Sequence, residues 1–171
     1  MNVLILTEDS ETQCPIYDKW KNRYRSGTKV ENNLKILKPL FDNNLSIPKD
    51  DLENENIYLD VLSEFILQAK YMFQGSFSTI RKLEENISKY ANVETLIISS
   101  RYGLIDSQKK IIPYQTTIKN KTQLLINDEK LLISDNISKK IKDFSHLIIV
   151  LPNYYLEYLL SKKFYRIVIM I

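Results

Sequence analysis

Three short stretches of this chain gather residue types that do chemistry. Glu8-Asp9-Ser10, with Thr12 just beyond, follows the apolar run Val3–Thr7. Ser99-Ser100-Arg101-Tyr102-Gly103 closes the β-branched run that starts at Thr95, and Pro152-Asn153-Tyr154-Tyr155 follows Leu147–Leu151. The set holds carboxylates, hydroxyls, an arginine, an amide and tyrosines, which suits a polar, phosphate-bearing ligand with a flat ring. A hydrolytic step here needs a carboxylate base acting on water, and Asp9, with Glu8 beside it, is the candidate. Each residue also has a plain structural use. Asp9 and Ser10 can close a turn or cap a helix, and Arg101 can pair with a carboxylate. Tyr102 and Tyr114 can sit half-buried with a wet hydroxyl, and Gly103 can supply a positive φ.

Other chemistries lack their residues. His146, the only histidine, precedes an apolar run and falls at the opposite end from the three stretches, so no serine or cysteine relay centres on it. Cys14 is the only cysteine, which excludes an intramolecular disulfide and leaves a zinc set without ligands. No pattern calls for a metal or an organic cofactor. A single thiol fits a reducing compartment.

A further stretch, Lys19 to Lys29, alternates basic residues with Trp20 and Tyr24. It reads in two ways: as a site that neutralises phosphates and stacks bases, or as an amphipathic helix whose aromatics pack inward.

The elements that must position these residues follow from periodicity. Val3–Thr7, Thr95–Ser99, Leu147–Leu151 and Arg166–Ile171 read as buried strands. Tyr58, Leu62, Phe65, Ile66, Ala69 and Phe73 recur at helical spacing, as do Phe77, Ile80, Leu83, Ile87 and Tyr90 after Gly75 and Ser76. Ile133, Ile137, Ile141 and Phe144 predict a helix over 132–144, and Pro152-Asn153 opens another to about Lys163. Residues 8–16 read as a loop, 17–41 carry a weak helical signal, and Pro113 makes 111–118 extended rather than helical. The stretch 42–56, rich in Asn, Asp and Glu around Pro48, reads as an exposed loop.

Strands that are nearly all apolar, separated by helices, predict an α/β fold: a mostly parallel buried sheet with helices on both faces, a three-layer sandwich. The 171 residues suffice for a single domain over 1–171. In such sheets ligands bind beyond the carboxyl ends of the strands, so the three stretches would share one rim. The apolar C-terminal strand is a candidate edge for pairing with a second copy or another protein.

Composition bounds the function class. Hydrophobic residues are 44% and charged residues 26%, with a net charge of +3, which permits an anionic partner without demanding one. The N-terminus lacks a basic leader, and no apolar run approaches the roughly 20 residues that span a bilayer. The expectation is a cytoplasmic protein without a membrane partner.

At Ile98-Ser99-Ser100-Arg101-Tyr102-Gly103-Leu104-Ile105-Asp106, followed by Ile111-Ile112-Pro113-Tyr114, the chain resembles the YaaA-like proteins and a related group of uncharacterised domains. Their signature is a strand running into S-A-K/R-Y-G-L-L and then I-x-P-Y; here Ser100 stands for the alanine. Tyr71 to Phe77 is similar to their upstream small-residue-plus-phenylalanine element, and Leu147 to Leu160 to their late strand and tyrosine. The loop ending at Cys14 departs from theirs, since Pro15-Ile16-Tyr17 replaces a serine-lysine run. The resemblance implies an α/β fold and an association with nucleic acids or nucleotides, including base-modifying and glycosylase-like chemistry. On that basis Arg101 would contact phosphate, Tyr102 and Tyr114 would shape a base pocket, and Asp9 would orient water. Ser10, Ser99, Gly103, Pro113, Asn153 and Tyr154 would complete the binding surface. The alternatives are a non-catalytic DNA- or RNA-binding module and a protein-interaction domain.

Overall fold

The computed structural model describes residues 1–18, 23–162 and 168–170. Its centre is a five-stranded sheet built from β1 (Asn2–Glu8), β2 (Asn92–Ser99), β3 (Gly103–Asp106), β4 (His146–Val150) and β5 (Val168–Met170), in the order β5-β4-β1-β2-β3. All neighbours run parallel except β3, which turns back on β2 through the left-handed Gly103. The mostly parallel α/β expectation therefore holds. Of the expected strand 166–171, Val168–Met170 is strand, and the other residues lie outside the described ones.

β1 sits at the centre because it is apolar on both faces. Leu4 and Leu6 pack with Leu96, Ile98, Leu124, Ile133, Ile137 and Tyr155, while Ile5 packs with Ile97, Ile105, Ile36, Leu40, Phe73 and Ile80. Cutting Leu6, 1% exposed, back to alanine would cost about 2–5 kcal/mol. The register sets Thr7 opposite Ile97 on one side and Val150 on the other. The carboxyl ends of β4, β1 and β2 therefore finish level, and the loops after them share one rim. His146 pairs with Val3 at the other end and is exposed.

Seven helices flank these strands among the described residues: α1 (Leu34–Asp42), α2 (Glu55–Val61), α3 (Ala69–Met72), α4 (Phe77–Ile87), α5 (Lys121–Leu131), α6 (Ile133–Lys140) and α7 (Asn153–Ser161). The Asn33 side chain accepts the Lys35 N–H at the start of α1, and Asn120 accepts that of Gln123 at the start of α5. No described helix is long and apolar enough to cross a membrane.

Several elements differ from expectation. The periodic run 58–73 is not one helix but α2, a 3-10 turn at Ser63–Phe65, the short strand Leu67–Gln68 and α3. Leu67–Gln68 pairs antiparallel with Lys110–Ile111, and that pairing overrides helix. The period reported burial correctly for Tyr58, Leu62, Ala69 and Phe73, but not backbone. The next helix ends at Ile87 and leaves Tyr90 85% exposed. Residues 132–144 form α6 and then a 3-10 turn, and α5, which the pattern missed, spreads its apolar residues around its axis. Within 8–16, Thr12–Gln13 pairs with Thr28–Lys29, and Ile16–Asp18 pairs with Arg23–Arg25. The helical alternative for 19–29 therefore fails over Arg23–Arg25 and Thr28–Lys29, while 19–22 lie outside the described residues. Gly27 is required there, since a Cβ would land on the Gln13 carbonyl oxygen.

Candidate functional site

The loop leaving β1 turns its carboxylate into the rim. Asp9 donates its backbone N–H to the Ile98 carbonyl at 2.9 Å, which continues the ladder one residue past the strand. Its Oδ2 accepts three hydrogen bonds: from the Ser100 N–H at 2.8 Å, the Ser100 hydroxyl at 2.9 Å and the Tyr114 hydroxyl at 2.8 Å. Among the described residues Oδ1 has no such partner. Burial pushes the Asp9 carboxyl above its ordinary range, and the donors from Ser100 and Tyr114 offset only part of that rise.

Tyr114 reaches Asp9 as the last link of a buried relay. The Ser99 Oγ accepts the N–H groups of Arg101 and Tyr102 at 3.2 and 3.0 Å and lies 2.7 Å from the Tyr114 hydroxyl. The Gln13 amide fixes the backbone of Tyr114, donating to its carbonyl at 2.8 Å and accepting its N–H at 3.0 Å. Ser10 donates to the Gln74 carbonyl and accepts the N–H of Thr12, so it shapes the loop that carries Asp9.

A cavity of about 640 Å³ opens beside this network. Glu8, Asp9, Ser10 and Glu11 form one wall, Ser76 and Phe77 at the start of α4 another, and Pro152 and Tyr154 at the start of α7 a third. Thr116, Ile118 and Lys119 close it. Such a volume suits a small-molecule ligand. Glu8 is partly buried, and its carboxyl is pushed up to about 7 by burial first and by the charge of Asp9 second. The Tyr154 hydroxyl, 3.4 Å from Glu8 Oε2, offsets part of that rise. At the mouth Glu11 holds two ammonium groups, Lys29 at 2.5 Å and Lys119 at 3.0 Å.

Five of the ten expected site residues meet at the cavity. Asp9, Ser10 and Tyr154 line the cavity, and Ser99 and Tyr114 hold Asp9 from behind it. The ring of Tyr114 is fully buried, so it does not stack on a base. Arg101 needs correction. It is 0% exposed, and its guanidinium donates to Asp51, Glu55 and the Lys49 carbonyl at 2.6–3.1 Å. With its donors engaged there and no place on the cavity wall, it does not contact phosphate; it ties residues 49–55 to the sheet. The expected exposed loop at 42–56 is exposed or half-buried throughout except at Pro48, and it is anchored to the sheet through Asp51 and Glu55.

Tyr102 belongs to the same anchor, donating to Glu55 at 2.7 Å and stacking edge-on to Tyr114. Gly103, with φ +73, has the Leu131 carbonyl oxygen 3.3 Å from where a Cβ would sit, and its role is the turn. Pro113 is buried beside Tyr114, and Asn153 is exposed at the first residue of α7; neither lines the cavity. Cys14 is buried against Met72, and burial pushes its thiol up to about 12, so it is unreactive.

Sequence reasoning placed Ser100 on the rim without choosing it as a site residue, and it missed Gln13, Phe77, Thr116 and Lys119. Ser100 and Phe77 stood inside recognised motifs, whereas nothing local marks Gln13 or Thr116. Among the described residues no three His, Cys, Asp or Glu side chains form a metal-binding group. No protein-family model, curated protein or solved structure matches this chain.

Proposed function

We propose that the cavity is the active site of an enzyme acting on a base-bearing ligand, and that the bond it cleaves is glycosidic. The ligand is a nucleoside, a nucleotide or a base turned out of a nucleic-acid strand. One observation carries this reading: Glu8 and Asp9 stand together on the cavity wall in different environments. Asp9 is pinned through Oδ2 by three donors, and Glu8 titrates near neutrality. Glu8, pushed up to about 7, can carry the proton for the leaving group, and the three donors on Oδ2 favour the ionised form of Asp9 against its burial.

In this reading Glu8 gives its proton to the departing base nitrogen as the bond to C1′ breaks. Asp9, through Oδ1, takes the proton of the attacking water, whose oxygen forms the new bond to C1′. One water is consumed, a free base and a sugar leave, and both carboxyls recover by exchange with solvent. Phe77 and Ile118 offer apolar surface to the ring, and Ser10 and Thr116 offer hydroxyls to the sugar. The likeness of residues 98–114 to YaaA-like proteins points the same way. The reading takes residues 1–171 as one cytoplasmic domain with helices layered on both faces of the sheet.

A phosphate track along the rim draws little support, because carboxyls outnumber ammonium groups on the wall and Lys29 and Lys119 are paired with Glu11. The test is chromatographic detection of free base from a panel of nucleosides, nucleotides and short oligonucleotides. Glu8→Gln and Asp9→Asn are each expected to slow release by roughly 10²–10⁴-fold while binding persists. Turnover unchanged in both variants would remove the carboxyl pair from the reaction.

A further inference from the structure

Beneath the carboxyl pair lies a buried hydroxyl that has no partner among the described residues. Tyr155 on α7 is 0% exposed, and its hydroxyl makes no hydrogen bond to any of them. An unpaired buried hydroxyl is destabilising, so on packing alone phenylalanine would serve this position better. Such a group calls for an explanation in function.

Its place in the fold supplies one. Tyr155 packs against Leu4 and Leu6 of β1. Alternate residues of a strand share a face, so the next residue on that face is Glu8. The Tyr155 ring lies 4.8 Å from that of Tyr154, whose hydroxyl reaches Glu8. Burial keeps the Tyr155 hydroxyl protonated, and the charges of Asp9, Glu8 and Tyr154 reinforce this, so it remains a donor. Tyr154 alone bonds Glu8 among the described residues, and at 3.4 Å it holds a side chain with three rotatable bonds only weakly.

We propose that Tyr155 is a positioning residue whose hydroxyl receives the Glu8 carboxylate once Glu8 has given up its proton. The inference rests on the reading of the cavity as an active site. As Glu8 ionises, its side chain swings toward α7 and accepts from Tyr155 as well as Tyr154. Two phenolic donors then replace the proton that left, against the repulsion of the neighbouring Asp9. Glu11 and Lys119 stand on the cavity wall but pair with each other. The resting protein thus holds an unsatisfied donor that is used only in the ionised state, a local cost in stability retained for catalysis.

The test is Tyr155→Phe, read by thermal melting, by carbon-13 NMR titration of the Glu8 carboxyl and by the pH dependence of base release. The variant is expected to melt at or above the wild-type temperature. Its Glu8 should titrate higher by about half a unit or more, and kcat should fall roughly tenfold with KM little changed. A variant that melts lower or fails to fold would make the hydroxyl a structural group and overturn the proposal. An unmoved Glu8 titration would overturn it too. The NMR arm needs no substrate: a wild type that releases no base ends the catalytic reading, while the titration still decides whether Tyr155 serves Glu8.

Discussion

The side-chain amide of Gln13 bonds both backbone groups of Tyr114, accepting its N–H at 3.0 Å and donating to its carbonyl at 2.8 Å. A glutamine thereby does what a paired strand would do, and it fixes the residue whose hydroxyl holds Asp9. Gln13→Ala should leave the buried N–H and carbonyl of Tyr114 unpaired, at roughly 1–3 kcal/mol for each group. Urea denaturation should show a lower midpoint with an unchanged slope. A loss below roughly 0.5 kcal/mol, the background of a surface substitution, would mean that the loop re-pairs without Gln13.

Arg101 gives the second prediction. Arg101→Ala strands Asp51 and Glu55 around an empty guanidinium site and should destabilise by about 3 kcal/mol, since both carboxylates keep some access to water. Arg101→Lys should recover little of this, because one ammonium cannot reach both carboxylates and the Lys49 carbonyl at once. The folded fraction of either variant should bind ligand as the wild type does. Lost affinity at full stability would return Arg101 to the role of a phosphate contact.

These two residues show where the sequence was legible. Apolar runs reported the strands, and their carboxyl ends located Asp9, Ser10 and Tyr154, because burial pattern and sheet polarity are local properties of sequence. Arg101 was prominent for the same reason, as a cation in a loop at a strand end. Its fate was decided by Asp51 and Glu55, which lie 50 and 46 residues away and lent their own stretch the look of a solvated loop. Gln13 meets Tyr114 across 101 residues and carries no local signal at all. The break in 58–73 has the same origin, since the pairing of Leu67–Gln68 with Lys110–Ile111 cannot be read from either segment alone.

Asp51 predicts behaviour in acid. Burial raises its carboxyl, but the Tyr58 hydroxyl, the Lys49 N–H and Arg101 outweigh this and hold it at about 2, below the usual 3.8. A carboxyl depressed in the folded state binds fewer protons than in the unfolded one. Its stabilisation is therefore complete above about 3.8 and is lost as pH falls toward 2. Asp51→Asn should flatten stability against pH over that window, measured by urea melts at successive pH values. A slope equal to that of the wild type would show that another carboxylate sets the acid limit.

Glu8 has the opposite sign. Its folded carboxyl is raised from 4.5 to about 7, so between those values the native state binds more protons than the unfolded one. Stability conferred by the protonated form is full below about 4.5 and falls as pH rises to about 7. With its partial exposure the loss amounts to about 1–2 kcal/mol. Glu8→Gln keeps the shape, removes the ionisation and should be more stable than the wild type at pH 8 by that amount, yet equal to it at pH 4. Base release by the wild type should fall as pH rises through about 7, where folded Glu8 loses the proton that it donates. Activity that instead rises through pH 7 while the stability slope appears as described would make Glu8 the base and leave Asp9 to hold the water.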